Sequence, residues 1–521
     1  MSSSSSIKRW NLANAIRNIL SLKKAIPIPR LPNTARLSAS LSDNLTKIEQ
    51  IFLDHGDMVY NHWQFGPGMT LRACSVYYKS LIQEQEANYM KVSLQDLLEH
   101  EVGPGTEVTL QAFIRFFDNS GVSERIAKTI ETLDDSVMRI QEGHVVIFID
   151  QWDKAISYEA VGVETRQVSE PISEAVVQGP REGTVENLQK NIGLIRKRLK
   201  STQFKLFEIT GGGETRTKLV YGYIEGRVSE DSLKEFRAKI AQISQLDVLE
   251  TTYVGELVED NVYSPFPQVR YTERPDVAVS GLLEGKILVL ADGTGTMMLC
   301  PGLFVEFFHS SEDYYQRTVI SALIRVLRIF AFLIALSLPS IYIALTTYHP
   351  ELIPTVLLLA IIDAREGIPF PAFVEAVIME FFFELLREAG VRLPRPVGSA
   401  VSIVGALVIG EAAITAGITS PVMVIIVALT GIASFAVPQY SVAIGLRILR
   451  FPLMFMSAFL GGYGLMIGLL FILLHLSKLR ALGQPYLSPL APLRFGQWRD
   501  VFFRAPLKQL MRTTRQQRMH E

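Results

Sequence analysis

Two passages in the later part of the chain carry residue types whose spacing suits chemistry. Along PVGSAVSIVGALVIGEAAITAG, Val397, Val401, Val404, Val408, Glu411 and Thr415 recur at steps of four, three, four, three and four, so a helix places them on one face. The face is a stripe of valines ending in a carboxylate and a hydroxyl. Repeated around a ring of copies, it would form a hydrophobic constriction beside a ring of acids, which is how dewetting gates and cation-attracting vestibules are built. Within a single chain the same valines would pack against another helix and Glu411 would pair inside the bundle. Gly398, Ser402 and Gly405 run alongside as a small-residue stripe that permits close helix contact.

The second passage is PAFVEAVIMEFFFELLRE, residues 371–388. At 100° per residue, Glu380, Glu384, Arg387 and Glu388 fall in one sector and Ile378, Phe381, Phe382 and Leu386 in the other. Such a helix lies at an interface or walls a wet cavity. Glu375 projects into the apolar sector and requires a cation, a backbone donor or water. Glu375, Glu380 and Glu384 are therefore candidates for contact with an ion, the competing reading being a polar anchor against another subunit or loop.

The remaining signals are weaker. TGGGET at 210–215 sits between two strand-like runs and reads as a hairpin loop in preference to an anion nest. DGTGT at 292–296 is a turn, with neither the GxGxxG register nor a P-loop lysine. The eight histidines form no HExxH or HxH grouping, and no Ser/His/Asp set has diagnostic spacing, so the sequence gives no support for an enzyme, a metal or a cofactor. Cys74 and Cys300 stand in unrelated contexts and read as reduced thiols.

The elements that position these residues follow from where the apolar residues lie. The 521 residues hold 51 Lys+Arg against 52 Asp+Glu, and the mean hydropathy of +0.24 is concentrated after about residue 320. This balance excludes a disordered chain and a nucleic-acid-coating one. Residues 1–42 form a basic arm, either disordered or lying on an anionic leaflet. No secretory signal is apparent at the start of the sequence. Residues 43–185 and 186–310 read as two soluble α+β subdomains with mixed sheets. The first has a helix over LTKIEQIFL capped by Ser42-Asp43-Asn44, a helix over VTLQAFIRFFDN, and two strands in GHVVIFIDQWDKAISYEAV. In the second, NLQKNIGLIRKRLK and SEDSLKEFRAKIAQI are helices, and QFKLFEI, TKLVYGYIEG, KILVLAD and TMMLCPG are strands.

Residues 311–478 read as a helical membrane domain and 479–521 as a basic cytoplasmic tail. Long apolar stretches cover 326–348, 397–416, 421–437 and 451–476, whereas 353–362 is only half a span and 371–388 carries too many ions for a lipid-facing helix. Arg317, Arg325, Arg387, Arg392, Arg395, Arg447, Arg450 and the basic tail are expected on the cytoplasmic side. An odd number of crossings would put the tail outside. The expected architecture is therefore about four spans plus amphipathic or re-entrant helices.

Several passages together carry a family resemblance. EAVVQGPREGTVENLQKNIGLIRKRL (174–199), RPDVAVSGLLEGKILVLADG (274–293), SEDYY (311–315), AREGIPFP (364–371), ELLREAGVRLP (384–394), the stretch from VGSAV to FAVP (397–438) and LRFPLM (449–454) resemble the A subunit of GerA-family spore germinant receptors. Thr184 stands where the family tends to have an aromatic residue, and Gly295 where a proline often follows the DG turn. The resemblance implies a multi-pass subunit in the inner membrane of a spore. It implies a homo-oligomer, pentameric, working with a transporter-like B subunit and a lipoprotein C subunit, and opening to monovalent cations when a nutrient is sensed. Together with the valine stripe, this leads to the expectation of a nutrient-gated cation channel. The alternative is a non-conducting membrane scaffold for a separate nutrient-binding subunit.

Overall fold

The computed structural model describes residues 36–65, 70–83, 87–88, 127–160, 170–171, 174–393, 395–493, 498 and 500–506, with the backbone alone at 391 and 395–404. The expected helix over VTLQAFIRFFDN, most of the basic arm and the last residues of the tail lie outside these. The chain forms two compact units.

In the first unit, α1 (Leu41–Ile51) buries Leu41, Leu45 and Ile48 at helical spacing. Asn44, expected among its cap residues, instead turns back on Ser38, accepting from its N–H at 2.9 Å and donating to its carbonyl at 2.6 Å. The sheet holds β1 (Met58–Phe65), β2 (Leu71–Tyr78), β3 (Lys128–Ile130), β4 (His144–Ile149) and β5 (Ala155–Glu159), in the order β1-β2-β4-β5-β3. α2 (Leu133–Gln141) starts at Thr132, whose hydroxyl oxygen accepts from the Asp135 N–H at 3.2 Å.

The second unit begins with α3 (Leu188–Arg198), β6 (Phe204–Thr210), β7 (Lys218–Ile224), α4 (Glu230–Ile240), α5 (Thr251–Val258), β8 (Arg270–Thr272), α6 (Pro275–Leu283), β9 (Ile287–Ala291) and β10 (Met297–Cys300). The strand order is β6-β7-β9-β10-β8. Phe236, Ile240 and Val254 cover one face of this sheet, and Leu188, Ile192, Ile195 and Leu282 the other. That double cover is why ILVLA and MMLC are buried at every position rather than alternately. Every strand pairing with a defined register, in both units, is antiparallel. The expectation of mixed sheets is corrected: short connections such as those between β4 and β5, β6 and β7, and β9 and β10 make hairpins, and no described crossover pairs two strands in parallel.

Three local arrangements stand out in the two sheets' surroundings. The Asp247 carboxylate donates no hydrogen bond but accepts one from the Thr215 N–H at 3.1 Å, and a Cβ at Gly213 would run into it. An acid thus occupies the concavity of the TGGGET loop, which suits a hairpin and disfavours an anion. Thr184 and Gly295, the two departures from the family pattern, touch: the Thr184 hydroxyl lies 3.0 Å from the Glu273 carbonyl and against that of Gly295. Arg196, 2% exposed, makes a bidentate pair with Asp57 at 2.6 and 2.7 Å and stacks 4.0 Å over Tyr78.

The helical region comprises α7 (Glu312–Tyr315), α8 (Thr318–Thr347), α9 (Thr355–Ala364), α10 (Ala372–Arg392), α11 (Arg395–Thr415), α12 (Pro421–Phe435) and α13 (Tyr440–Lys478), followed by the short strands β11 (Arg480–Ala481) and β12 (Gln484–Pro485). Among the described residues, α8 and α13 are long and apolar enough to cross a membrane. α13 is not one rod. Gly461 has φ 60° and ψ −141°, outside helical geometry, and beyond it the chain doubles back. A Cβ at Gly464 would lie 2.1 Å from the Met456 carbonyl oxygen, and one at Gly468 2.4 Å from Leu453 Cδ2. The stretch 451–476, read from its hydropathy as one span, is therefore parts of two antiparallel arms. The arms are about 30 and 25 Å long at 1.5 Å per residue. Freed carbonyls at the turn are capped by the Tyr348 hydroxyl, 2.9 Å from Ala458 O and 3.0 Å from Phe459 O and able to donate to one at a time.

The rods share two common ends. Ala372, Ala376, Ala413 and Met423 cluster with Tyr342 and Ile343 at one, while Phe332, Val437, Leu446 and Leu476 cluster with Phe304, Phe308 and Tyr486 toward the other. α10, α11, α12 and the two arms of α13 thus run alternately down, up, down, up and down after the ascending α8. The region starts and finishes at the same end.

Candidate functional site in the helical bundle

The construction of the bundle interior starts with a proline. Pro339 has no N–H to give to the Ala335 carbonyl one turn earlier, so that oxygen needs another donor. Arg450 Nε supplies it at 2.9 Å. With its stem thus fixed, Arg450 places Nη1 2.5 Å from Glu380 Oε2, and both side chains are buried, at 1% and 0% exposure. Glu380 on α10, Arg450 on α13 and the freed carbonyl on α8 form a three-helix junction. One turn further along α10, Glu384 accepts from Arg387 at 3.2 Å and from Arg447 at 3.3 Å. The Arg387 guanidinium lies 5.1 Å from the ring centres of both Phe383 and Phe435. Glu380 Oε1, Arg450 Nη2, and Nε and Nη2 of Arg387 are buried with no hydrogen-bond partner among the described residues.

Glu375 is held at the opposite end of α10. Its Oε1 faces the Arg365 guanidinium at 3.0 Å, and its Oε2 accepts the Ser420 N–H at 2.9 Å. That N–H belongs to the residue capping α12, where orphan donors and the helix dipole favour a carboxylate. α10 therefore turns Glu375 and Glu380 inward, while Glu388 is exposed and pairs with Arg392 at 2.6 Å, and Phe381 and Phe382 are exposed at 57% and 37%.

The valine-stripe helix behaves differently. For Val397, Val401 and Val404 the side chains lie outside the described part, although their backbone is helical. Val408 is 55% exposed, and Glu411 and Thr415 are exposed. The Thr415 hydroxyl bonds only back to the Glu411 carbonyl, at 2.8 Å. The Glu411 carboxylate has no hydrogen bond or ion pair among the described residues. Inward-facing positions of the same helix are small: a Cβ at Gly405 would touch Leu386 of α10 at 2.8 Å, one at Gly410 would touch Val424 of α12 at 3.4 Å, and Ala413 is buried. Small residues bring α11 close to its own chain, and the face bearing Val408, Glu411 and Thr415 is turned away from it.

The base of α8 is the set of functional candidates that the sequence hid. Arg325, expected as a cationic flank on the cytoplasmic side, is 0% exposed; its Nε reaches Asp313 at 3.3 Å and its Nη1 reaches Asp500 at 2.9 Å. Arg328 reaches Asp313 at 2.8 Å. The Tyr314 hydroxyl donates to Asp500 at 2.7 Å, and burial raises its pKa, keeping the phenol protonated. Arg504 donates to the Gln316 carbonyl at 2.6 Å. Arg447 and Arg450, also expected as flanks, are the partners of Glu384 and Glu380. Arg325, Arg447 and Arg450 thus each meet an acid distant in sequence, Asp500, Glu384 and Glu380 respectively, which spacing along one helix does not reveal. Among the described residues no group of three or more His, Cys, Asp or Glu is placed to hold a metal ion.

Comparison with known proteins places the chain among similar sequences. The family model described as Bacillus/Clostridium GerA spore germination protein matches residues 46–516. The chain is 41% identical to spore germination protein KA of Bacillus subtilis (strain 168), over 90% of this chain and 85% of that protein. It is 40% identical to the uncharacterized membrane protein YfkQ of the same strain, over 90% of each, and 35% identical to its spore germination protein A1, over 90% of this chain and 94% of that one. The crystal structure of the N-terminal domain of the A subunit of the Bacillus megaterium spore germinant receptor GerK3 aligns with 52% of this chain and 98% of its own, at 25% identity and a TM-score of 0.41.

Proposed function

The chain belongs to the GerA family of spore germinant receptor A subunits, and from that premise we propose that it forms an oligomeric, ligand-gated cation channel whose opening releases monovalent cations and triggers germination. The observation carrying this reading is the outward face of α11. Glu411 is an acid following the apolar run of α11, and exposing it to lipid is costly. A water-filled axis shared by several copies removes that cost and gives the carboxylate a role in attracting cations. Val397, Val401, Val404 and Val408 then line the closed gate.

The surrounding assignments follow from the same premise. The protein is multi-pass in the inner membrane of the spore, with the soluble domains 43–185 and 186–310 and the tail in the cytoplasm. The shared end of the helical rods supports an even number of crossings. Six rods, α8, α10, α11, α12 and the two arms of α13, replace the four apolar stretches, and α9 is re-entrant. The homo-oligomer is a pentamer and works with a transporter-like B subunit and a lipoprotein C subunit. Asp313, Arg325 and Asp500 couple the soluble domains to α8.

Cross-linking of Val408→Cys in native membranes, with the stoichiometry of the purified receptor, tests the reading. A closed ring of three or more copies with α11 toward the axis is expected. A monomer or dimer with α11 against a different protein would instead establish the non-conducting scaffold.

A further inference from the structure

A groove runs between the two arms of α13 and the loop that precedes β8. It encloses about 340 Å³ and is lined almost entirely by apolar side chains, among them Phe266, Leu453, Met456, Phe471 and Ile472. Its depth comes from Gly468, which contributes no side chain, and from the loop wedged against the helix, where Pro265 O lies so near Gly445 that a Cβ there would sit 2.2 Å away. One end is polar: Ser264 Oγ and His475 Nε2 are 2.8 Å apart.

We propose that this groove holds one acyl chain of an anionic phospholipid, with its phosphate toward Lys478. The inference rests on the membrane reading given above. First, the groove is continuous with a surface that such a reading places in hydrocarbon: Met466, Leu470, Phe471 and Leu474, all on the second arm, are 71%, 54%, 62% and 54% exposed. A cleft of this size unfilled by protein forfeits dispersion contacts, and a flexible hydrocarbon chain restores them. Second, the charge is matched. Phe471, His475 and Lys478 follow at steps of four and three, so they share one face of the arm, and the cation stands one turn beyond the groove toward the cytoplasmic end. Lys478 is exposed and forms no ion pair among the described residues. A basic side chain at that depth lies where anionic headgroups gather.

The test places a fluorescent probe in the groove and another outside it. Full-length Phe471→Trp and Leu473→Trp proteins, both changes at exposed positions, are reconstituted in vesicles containing brominated phosphatidylglycerol or brominated phosphatidylcholine with the same chains. Quenching is read relative to the unsubstituted protein. At 471 the anionic lipid should be preferred about fivefold, the ratio one basic side chain gives beside a charged leaflet. At 473 the two lipids should quench equally, and Lys478→Gln should abolish the preference at 471. Equal quenching at 471 by both lipids, or a preference that survives Lys478→Gln, overturns the site while leaving the membrane reading in place. No quenching at either probe by either lipid overturns both.

Discussion

Glu380 and Glu411 are the same residue type on neighbouring helices, and the molecule treats them in opposite ways. Glu380 is buried against Arg450, at 2.5 Å, in a junction that also satisfies the carbonyl freed by Pro339. Glu411 is exposed and has no hydrogen bond or ion pair among the described residues. Charge of the first kind is construction: it fixes which helices meet and at what depth. Charge of the second kind has no partner among the described residues, and on the channel proposal that distinction separates anchoring residues from candidates for ion passage. Glu375 and Glu380 pair within the bundle, Glu384 bridges two arginines, and Glu411 has no partner among the described residues.

The comparison breaks most sharply at its buried half. Arg450→Ala leaves Glu380 without its cation and Ala335 O without a donor, and should cost about 3–5 kcal/mol, read as a lowered unfolding temperature of the detergent-purified protein. Glu380→Gln with Arg450→Met should cost less than the sum of the two single changes, because the residues act as a unit; additive losses would show that they are not coupled. Gly461→Ala should cost about 1–3 kcal/mol by the same assay, since the backbone conformation there is essentially restricted to glycine. The added methyl also meets Tyr348 at 2.8 Å. Tyr348→Phe removes the donor to the turn carbonyls and should cost about 1 kcal/mol. The smallest effect on stability belongs to Glu411→Gln, within about 0.5 kcal/mol, although cation selectivity in the assembled receptor should fall. A large loss of stability at Glu411 would erase the distinction.

The legible parts of the fold were those encoded locally. Strand runs such as KLVYGYI and ILVLA, the DG turn before β10, and the helices carrying the charged passage and the valine stripe stand close to where their periodicity places them. The hairpin in α13 was not legible because hydropathy is continuous across FLGGYGLM, and the three glycines there, Gly461, Gly462 and Gly464, were its local mark. The buried pairs were hidden for a different reason: Glu380 and Arg450 are 70 positions apart, and an arginine beside an apolar run looks the same whether it faces the cytoplasm or an acid. Pro339 offered a partial clue, since a proline inside a helix always leaves one carbonyl in need of a donor.

The central claim, that the face of α11 bounds an ion path, is tested most directly by resting cation flux through vesicles containing the complete receptor with Val404→Ser in this subunit. A gate closed by valines should leak when one is made polar, raising flux in the absence of nutrient well above that of the unsubstituted receptor. Flux unchanged by that substitution, in protein that assembles at the native stoichiometry, would contradict the account.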